Sequence, residues 1–238
     1  MALKSDIKRA LEGLSAAIVS SVMLKMGVRN TFIRRSRGIQ TEPERIAGSA
    51  FTLRFLPGRE DLATYDSLAS SRSTRAAVEE MQEGCIAVVD ACGVTDAGIF
   101  GDILCSRMVL RKVAGLVTDG AMRDFAGVKR SGLPVWCAGV SATPSIARLT
   151  FVGWQHPVAC GGVAVFPDDV IVADQDGAVV IPQAMIEAVV AAAKEADALD
   201  EWIQREVASG KPLPGLYPPN EENLSRYERM RASAEPAP

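Results

Sequence analysis

Along the first 29 residues apolar positions recur at steps of three and four, at Ile7, Leu11, Leu14, Ile18 and Val22, a stripe that predicts one helix closed by Gly27. The period changes to two over residues 45–55. Phe51, Leu53 and Phe55 fall on one face and Thr52 and Arg54 on the other before Pro57-Gly58, which predicts a half-buried strand. Residues 59–84 follow no single period, and the polar stretch at Ser70, Ser71 and Ser73 suits a loop or a helix start.

From residue 86 the pattern repeats as strand, loop, helix. Residues 86–90 form a short apolar run of the buried-strand kind. After a loop containing Gly93 and Gly98, Gly101-Asp102 opens a helical stretch reaching about Val113, with Asp102 placed as its N-cap. Residues 115–118 give a second strand, and after the Asp119–Arg123 loop Asp124 opens a helix that Gly132 ends. Residues 134–138 give a third strand. Consecutive right-handed crossovers put both loops at the carboxyl ends of neighbouring parallel strands, where open α/β sheets bind ligands, so Asp102 should meet Arg123 and Asp124 in space.

The last third changes character. Residues 162–166, 170–173 and 178–182 are short β-type runs joined by Pro167-Asp168-Asp169 and Asp174-Gln175-Asp176-Gly177 turns, an antiparallel meander. Ile186, Val189, Ala193, Ile203 and Val207 mark a long helix over residues 183–209, stopped by Gly210, Pro212 and Pro214. The reading is one α/β domain over residues 1–210, followed by a Pro-rich arm and charged tail over 211–238.

Composition narrows the chemistry. With 26 basic and 29 acidic residues, net charge -3, the chain has no basic stretch fit to neutralise a run of phosphates, so nucleic acid is a poor partner. Five cysteines without a C-x-x-C pair suit a reducing cytoplasm, where they act as small buried hydrophobes. The longest early apolar run, residues 16–24, is too short for a bilayer, and neither an export signal nor a membrane segment is expected. The single histidine, His156, cannot build a multi-histidine zinc site and is read as a loop residue. Lys112 and Lys129 stand beside arginines on helical stretches, which argues against a desolvated Schiff-base lysine.

Gly101-Asp102, Gly115-x-Val117-x-Asp119-Gly120-x-x-Arg123-Asp124, and the Gly-Gly and Asp-Gly turns before a Val-Val-Ile-Pro strand together carry a resemblance. Over residues 8–208 the chain resembles the family of 4-hydroxy-4-methyl-2-oxoglutarate and 4-carboxy-4-hydroxy-2-oxoadipate aldolases, which also holds the regulators of ribonuclease activity A. The resemblance implies a three-layer β/β/α fold of the swivelling-domain type: a central, largely parallel sheet, a smaller antiparallel meander and a long carboxyl-terminal helix. It implies a homotrimer or a dimer of trimers with sites between subunits. It further implies a divalent metal, Mg2+ or Mn2+, near Asp124, a substrate carboxylate on Arg123, and Asp102 positioning a proton-transferring water. Glu195 is a candidate for a carboxylate lent by the terminal helix of a neighbouring subunit.

The residues themselves suit that chemistry. Cleaving a 4-hydroxy-2-oxo diacid leaves a pyruvate enolate, and a Lewis acid at the C2 carbonyl stabilises the developing charge. Asp124 offers a hard oxygen ligand, Arg123 a planar fork for a carboxylate, and the helix opening at Gly101, Asp102, Ile103 and Leu104 free backbone N–H groups. Oxaloacetate decarboxylation passes through the same enolate. Asp119 and Gly120 are expected to support the site, Asp119 as a strand-end turn residue and Gly120 for its backbone conformation. Plainer readings make Asp102 and Asp124 helix caps and Arg123 a surface ion-pair partner. The alternative function is a non-enzymatic regulator that binds a ribonuclease. The resemblance weighs against it, since the regulator lacks the acidic residue after the motif arginine and is shorter at its carboxyl end. Arg54, Arg59 and Glu60, around the Pro-Gly turn, could recognise the distal end of a substrate, although solvated loop charges explain them as well.

Overall fold

The structure, a computed structural model, describes residues 3–39 and 45–234. The amino-terminal stripe forms two helices rather than one, α1 (Ser5–Glu12) and α2 (Ala16–Lys25). The break lies at Gly13 and Ser15: the Ser15 hydroxyl accepts a bond from Ile18 N at 3.1 Å, an N-cap that starts a new helix. The apolar spacing runs through the break, so Leu11, Leu14, Val19 and Val22 are all buried.

Two short strands follow, β1 (Phe32–Ile33) and β2 (Arg37–Gly38), then the long β3 (Ile46–Pro57). Next come α3 (Thr74–Glu80), β4 (Ile86–Asp90), α4 (Asp102–Leu110), β5 (Gly115–Thr118), β6 (Ala121–Met122), α5 (Phe125–Ser131), β7 (Val135–Cys137) and β8 (Gly139–Val140). The remaining strands are β9 (Leu149–Trp154), β10 (Val158–Cys160), β11 (Val163–Val165), β12 (Val170–Asp174) and β13 (Gly177–Ile181). The long helix α6 (Ile186–Ala208) and the terminal helix α7 (Glu221–Ala234) complete the described chain.

The main sheet runs β1-β13-β12-β3-β4-β5-β7-β2, with β9 also paired to β3. Its centre, β3-β4-β5-β7, is parallel, with Ala50 opposite Ile86, Ile86 opposite Gly115 and Leu116 opposite Val135. The strand β3 is buried on both faces as far as Leu53, and even Thr52 is enclosed. It is a central strand and not the half-buried one its alternation suggested, because β12 pairs along its first half and β9 along its second while β4 lies on its other side.

Both faces of the sheet are covered, which is why β4 reads as an unbroken apolar run. One face packs Phe51, Leu53, Val89 and Leu116 against Met81, Met108 and Val128 of the α3, α4 and α5 region. The other packs Ile86, Val88, Val117 and Ile171 against Val158 and Val163 of the β10–β11 hairpin. The layers are thus helix, sheet and hairpin, a three-layer β/β/α arrangement. The expected meander is divided between two sheets. Only residues 163–165 join the small hairpin, whereas β12 and β13 extend the main sheet from the edge of β3.

The chain forms two compact units, one ending at Val190 and one beginning at Ala191, a division inside α6 rather than the 210/211 boundary drawn from composition. In the second unit Trp202, Ile203, Leu216 and Tyr227 share a small core, and Arg226 lies over the Trp202 ring at 5.6 Å. Part of the charged tail is therefore an ordered helix with its own packing.

Candidate active site

Two loops at the carboxyl ends of β4 and β5 lie side by side, as the crossover argument requires. Gly98 bridges Ala121 in parallel, Ile99 N donates to Ala121 O at 2.8 Å, and Arg123 N donates to Phe100 O at 2.9 Å. On the far side β6 pairs with β8, and Ser141 N donates to Met122 O at 2.9 Å. The segment leading to Arg123 is thus held from both flanks, and Gly101, Asp102, Arg123 and Asp124 come together.

Glycine makes the approach possible. A Cβ on Gly101 would stand 2.5 Å from Asp124 Oδ2, so a side chain there would displace that carboxylate from its present position. A methyl on Gly127, in α5, would lie 2.6 Å from the Asp102 Cβ and overlap its carboxylate. The Asp102 side chain therefore lies on bare backbone at the start of α5. Gly127→Ala is expected to push the Asp102 side chain aside while the circular dichroism spectrum keeps its helical content.

Neither aspartate is used as a helix cap. Asp102 occupies the first helical position of α4 while Gly101, in extended conformation, is the N-cap, and no side chain caps that end. Among the described residues no group hydrogen-bonds the half-buried Asp102 carboxylate. Asp124 stands at the N-cap position of α5 in a left-handed conformation, φ 51° and ψ 43°, and it too makes no capping bond. Left-handed backbone at a non-glycine residue costs free energy and is found where the surroundings hold it in place. Its carboxylate instead accepts from Arg123 Nε at 3.1 Å, with both side chains partly open to solvent. The first helical bond of α4 is Cys105 N to Gly101 O at 3.1 Å, so the N–H groups of Ile103 and Leu104 point past the helix end.

Asp119 does more than finish a strand. Its buried carboxylate accepts from Ala91 N at 2.8 Å, Gly93 N at 3.1 Å and Gly161 N at 3.2 Å, tying together both ends of the site region and the β10–β11 turn. Burial raises its pKa above the ordinary 3.8 despite those bonds. Gly120 is required by proximity and not by a special φ: a Cβ there would stand 2.5 Å from the Ala91 Cβ. The sequence signal that could have found the Asp119 role is its place directly after a buried strand, next to a glycine.

Other expected positions fall elsewhere. Glu195 is an exposed residue of the second unit, ion-paired with Arg231 of α7 through a bond of 2.8 Å and a shorter one, and that partner lowers its pKa. Lys112 pairs with Glu83, and Lys129 lies over the Phe125 ring. His156 is exposed, and its carbonyl accepts from the Thr52 hydroxyl. Arg59 pairs with Asp61. Four cysteines are buried as expected, but Cys92 is exposed on the loop after β4.

The donor set decides which metal would fit. Among the described residues no three His, Cys, Asp or Glu side chains cluster. That argues against a zinc site, which needs three or four protein ligands, but suits a magnesium-type ion, which keeps waters and takes one or two carboxylates. Asp124, cradled against Gly101 and steadied by Arg123, is such a carboxylate.

Fold and site together define a three-layer α/β protein whose paired loops present a carboxylate, an arginine and a helix start at one sheet edge. The chain belongs to the RraA-like family: the model described as Aldolase/RraA matches residues 15–180. A protein of Halalkalibacterium halodurans, provisionally named as a 4-hydroxy-4-methyl-2-oxoglutarate aldolase, is 33% identical over 168 residues, 70% of this chain and 74% of its own. DlpA of Legionella pneumophila is 27% identical over 169 residues, 71% of this chain, but the match spans only 26% of DlpA. Among solved structures, Streptomyces coelicolor RraAS2, described as an unusual member of the RNase ES inhibitor RraA protein family, aligns with a TM-score of 0.76 and 31% identity. That alignment covers 86% of this chain and 98% of RraAS2. An uncharacterized protein of Pseudomonas syringae pv. tomato shares the fold at a TM-score of 0.77 and 22% identity, over 91% and 99% of the two chains. Among the described residues no helix is long and apolar enough to cross a membrane.

Proposed function

We propose that the chain is a carbon–carbon lyase that cleaves a 4-hydroxy-2-oxo diacid to pyruvate and a second oxo acid, and decarboxylates oxaloacetate at the same site. The observation that carries this reading is the unspent Asp102 carboxylate beside the Arg123–Asp124 pair on adjoining loops. The relative provisionally named as an aldolase supports it.

Arg123 would hold the substrate C1 carboxylate by its fork, with the Ile103 and Leu104 N–H groups at the start of α4 adding donors to the same anion. Asp102 would orient a water that takes the proton from the C4 hydroxyl. The C3–C4 bond then breaks, its electron pair moves toward the C2 oxygen, and C4 leaves as the carbonyl carbon of the second product. A proton returned to C3 completes pyruvate. Asp124 would hold the divalent ion, Mg2+ or Mn2+, with water and substrate filling the shell, and when bound that ion supplies Lewis acidity at the C2 carbonyl. In oxaloacetate the departing group is carbon dioxide, which leaves from an already ionised carboxylate, so Arg123 and Asp124 would serve without the proton removal assigned to Asp102.

Exposed Ile103, at 81%, at the start of α4 and Phe125 beside Asp124 leave apolar surface at the site that a second copy would cover. A homotrimer or dimer of trimers is accordingly part of this reading, and Glu195 would join a neighbour's site only by leaving Arg231. The test is pyruvate release from oxaloacetate and from 4-hydroxy-2-oxo diacids, with Mg2+ or with chelator. Release that chelator stops and Mg2+ restores is expected. The likeness to RraAS2 favours a second reading, a protein that binds a ribonuclease, and it takes first place if no oxo acid yields pyruvate while the protein remains folded.

A further inference from the structure

A cavity of about 460 Å³ in the first unit has none of Gly101, Asp102, Arg123 and Asp124 in its lining. Arg34, Arg35 and Arg54 converge on it, with Asp90 and Asp119 among the residues that line it. Among the described residues the two carboxylates form no ion pair with the three arginines and face backbone donors instead. Asp90 is occupied by Cys92 N at 3.0 Å and Ala159 N at 3.1 Å, and Asp119 by its own three backbone donors. Among the described residues none of the three guanidinium groups has a carboxylate partner, in contrast to Arg59 with Asp61, Arg107 with Glu79 and Arg148 with Asp96.

The backbone around this cavity is also built and not accidental. Arg35 and Cys92 hold left-handed conformations, φ 68° and 55°, that non-glycine residues avoid unless held there. The Arg34 guanidinium occupies the space a side chain on Gly162 would take, and Arg35 Nη1 lies 3.5 Å from where a Cβ on Gly93 would stand. Gly162 therefore admits Arg34 to the concavity, with Arg35 in ordinary contact range of Gly93. Its volume is that of a small-molecule site, and unpaired guanidinium forks match carboxylate and phosphate oxygens.

We infer that this cavity is a second anion site, taking a small molecule with at least two carboxylate or phosphate groups. It lies at the carboxyl end of the parallel strands, as the candidate active site does, but it works through different residues and does not rest on the lyase reading.

The test is titration calorimetry on the full chain at low ionic strength without metal, with citrate and inorganic pyrophosphate as probes. Saturable binding of at least one probe is expected, weakened at least about tenfold in Arg34→Gln/Arg54→Gln and weakened by added salt. Arg123→Ala should leave it unchanged. Citrate binding alone would assign carboxylate ligands, pyrophosphate alone would assign phosphate esters, and binding of both a general oxyanion site. Both arginines are exposed, so the double variant should fold, and Arg54→Glu gives an independent reading of the same loss. The inference is overturned if neither probe binds, if binding survives both arginine variants, or if Arg123→Ala removes it.

Discussion

Arg123→Ala is expected to lower kcat/KM for pyruvate release by about 100- to 1,000-fold, the loss of a two-pronged charge-assisted contact worth about 3 to 4 kcal/mol. The fold should survive, because the side chain is partly open to solvent and its charged partner among the described residues, Asp124, is more open still. Arg123→Lys keeps the charge without the fork and should fall between, mainly through KM. Asp124→Ala is expected to abolish metal-dependent release, and added Mg2+ should no longer stimulate it. Steady-state kinetics across a Mg2+ titration separate the two variants. If both retain wild-type kcat/KM, the site is elsewhere.

Asp119→Ala should be the most destabilising single change near the site. It leaves the N–H groups of Ala91, Gly93 and Gly161 without their acceptor inside the protein, at a cost of about 3 to 5 kcal/mol. Thermal unfolding should show a fall of about 10 °C. Asp119→Asn, which keeps one oxygen acceptor, should lose less. The pH dependence adds a signed check. Because burial raises the Asp119 pKa in the folded state, the native protein holds this proton at pH values where the unfolded chain has released it. The stabilisation from this group is thus full below the ordinary value of 3.8 and is lost as pH rises through the raised one. Wild-type stability relative to Asp119→Asn should therefore grow as pH falls through that window, measured by denaturant unfolding at several pH values. A gap that shrinks instead would mean that the backbone donors outweigh burial.

Much of the site was legible because its parts obey local rules. The strand, loop, helix repeat with Gly101-Asp102 and Arg123-Asp124 at corresponding points predicts adjacency from chain handedness alone, and the bonds from Ile99 and Arg123 across the two loops bear that out. The Arg34, Arg35 and Arg54 cavity was not legible. Its arginines come from the β1–β2 region and from β3, and nothing local distinguishes an unpaired arginine from a paired one. The sequence offered Arg54, with Arg59 and Glu60, either as a contact for the distal end of a substrate or as a solvated loop charge, and of these Arg59 pairs with Asp61.

The sequence by itself determined the elements: periods of two and three to four placed the strands and most helices, and glycine, proline and aspartate marked their ends. Tertiary structure decided what each aspartate does. Asp102, Asp119 and Asp124 occupy similar strand-end or helix-start positions in the sequence, yet one carboxylate is unspent, one is buried on backbone donors and one is paired with an arginine. Pairing made β3 central where its alternation suggested one solvent face, and a serine cap divided one apolar stripe into two helices. The physical reason is the same in each case. Periodicity records which faces are covered or exposed on average, whereas hydrogen-bond partners and close approaches at glycine depend on segments far apart in the chain, which only the folded packing brings together.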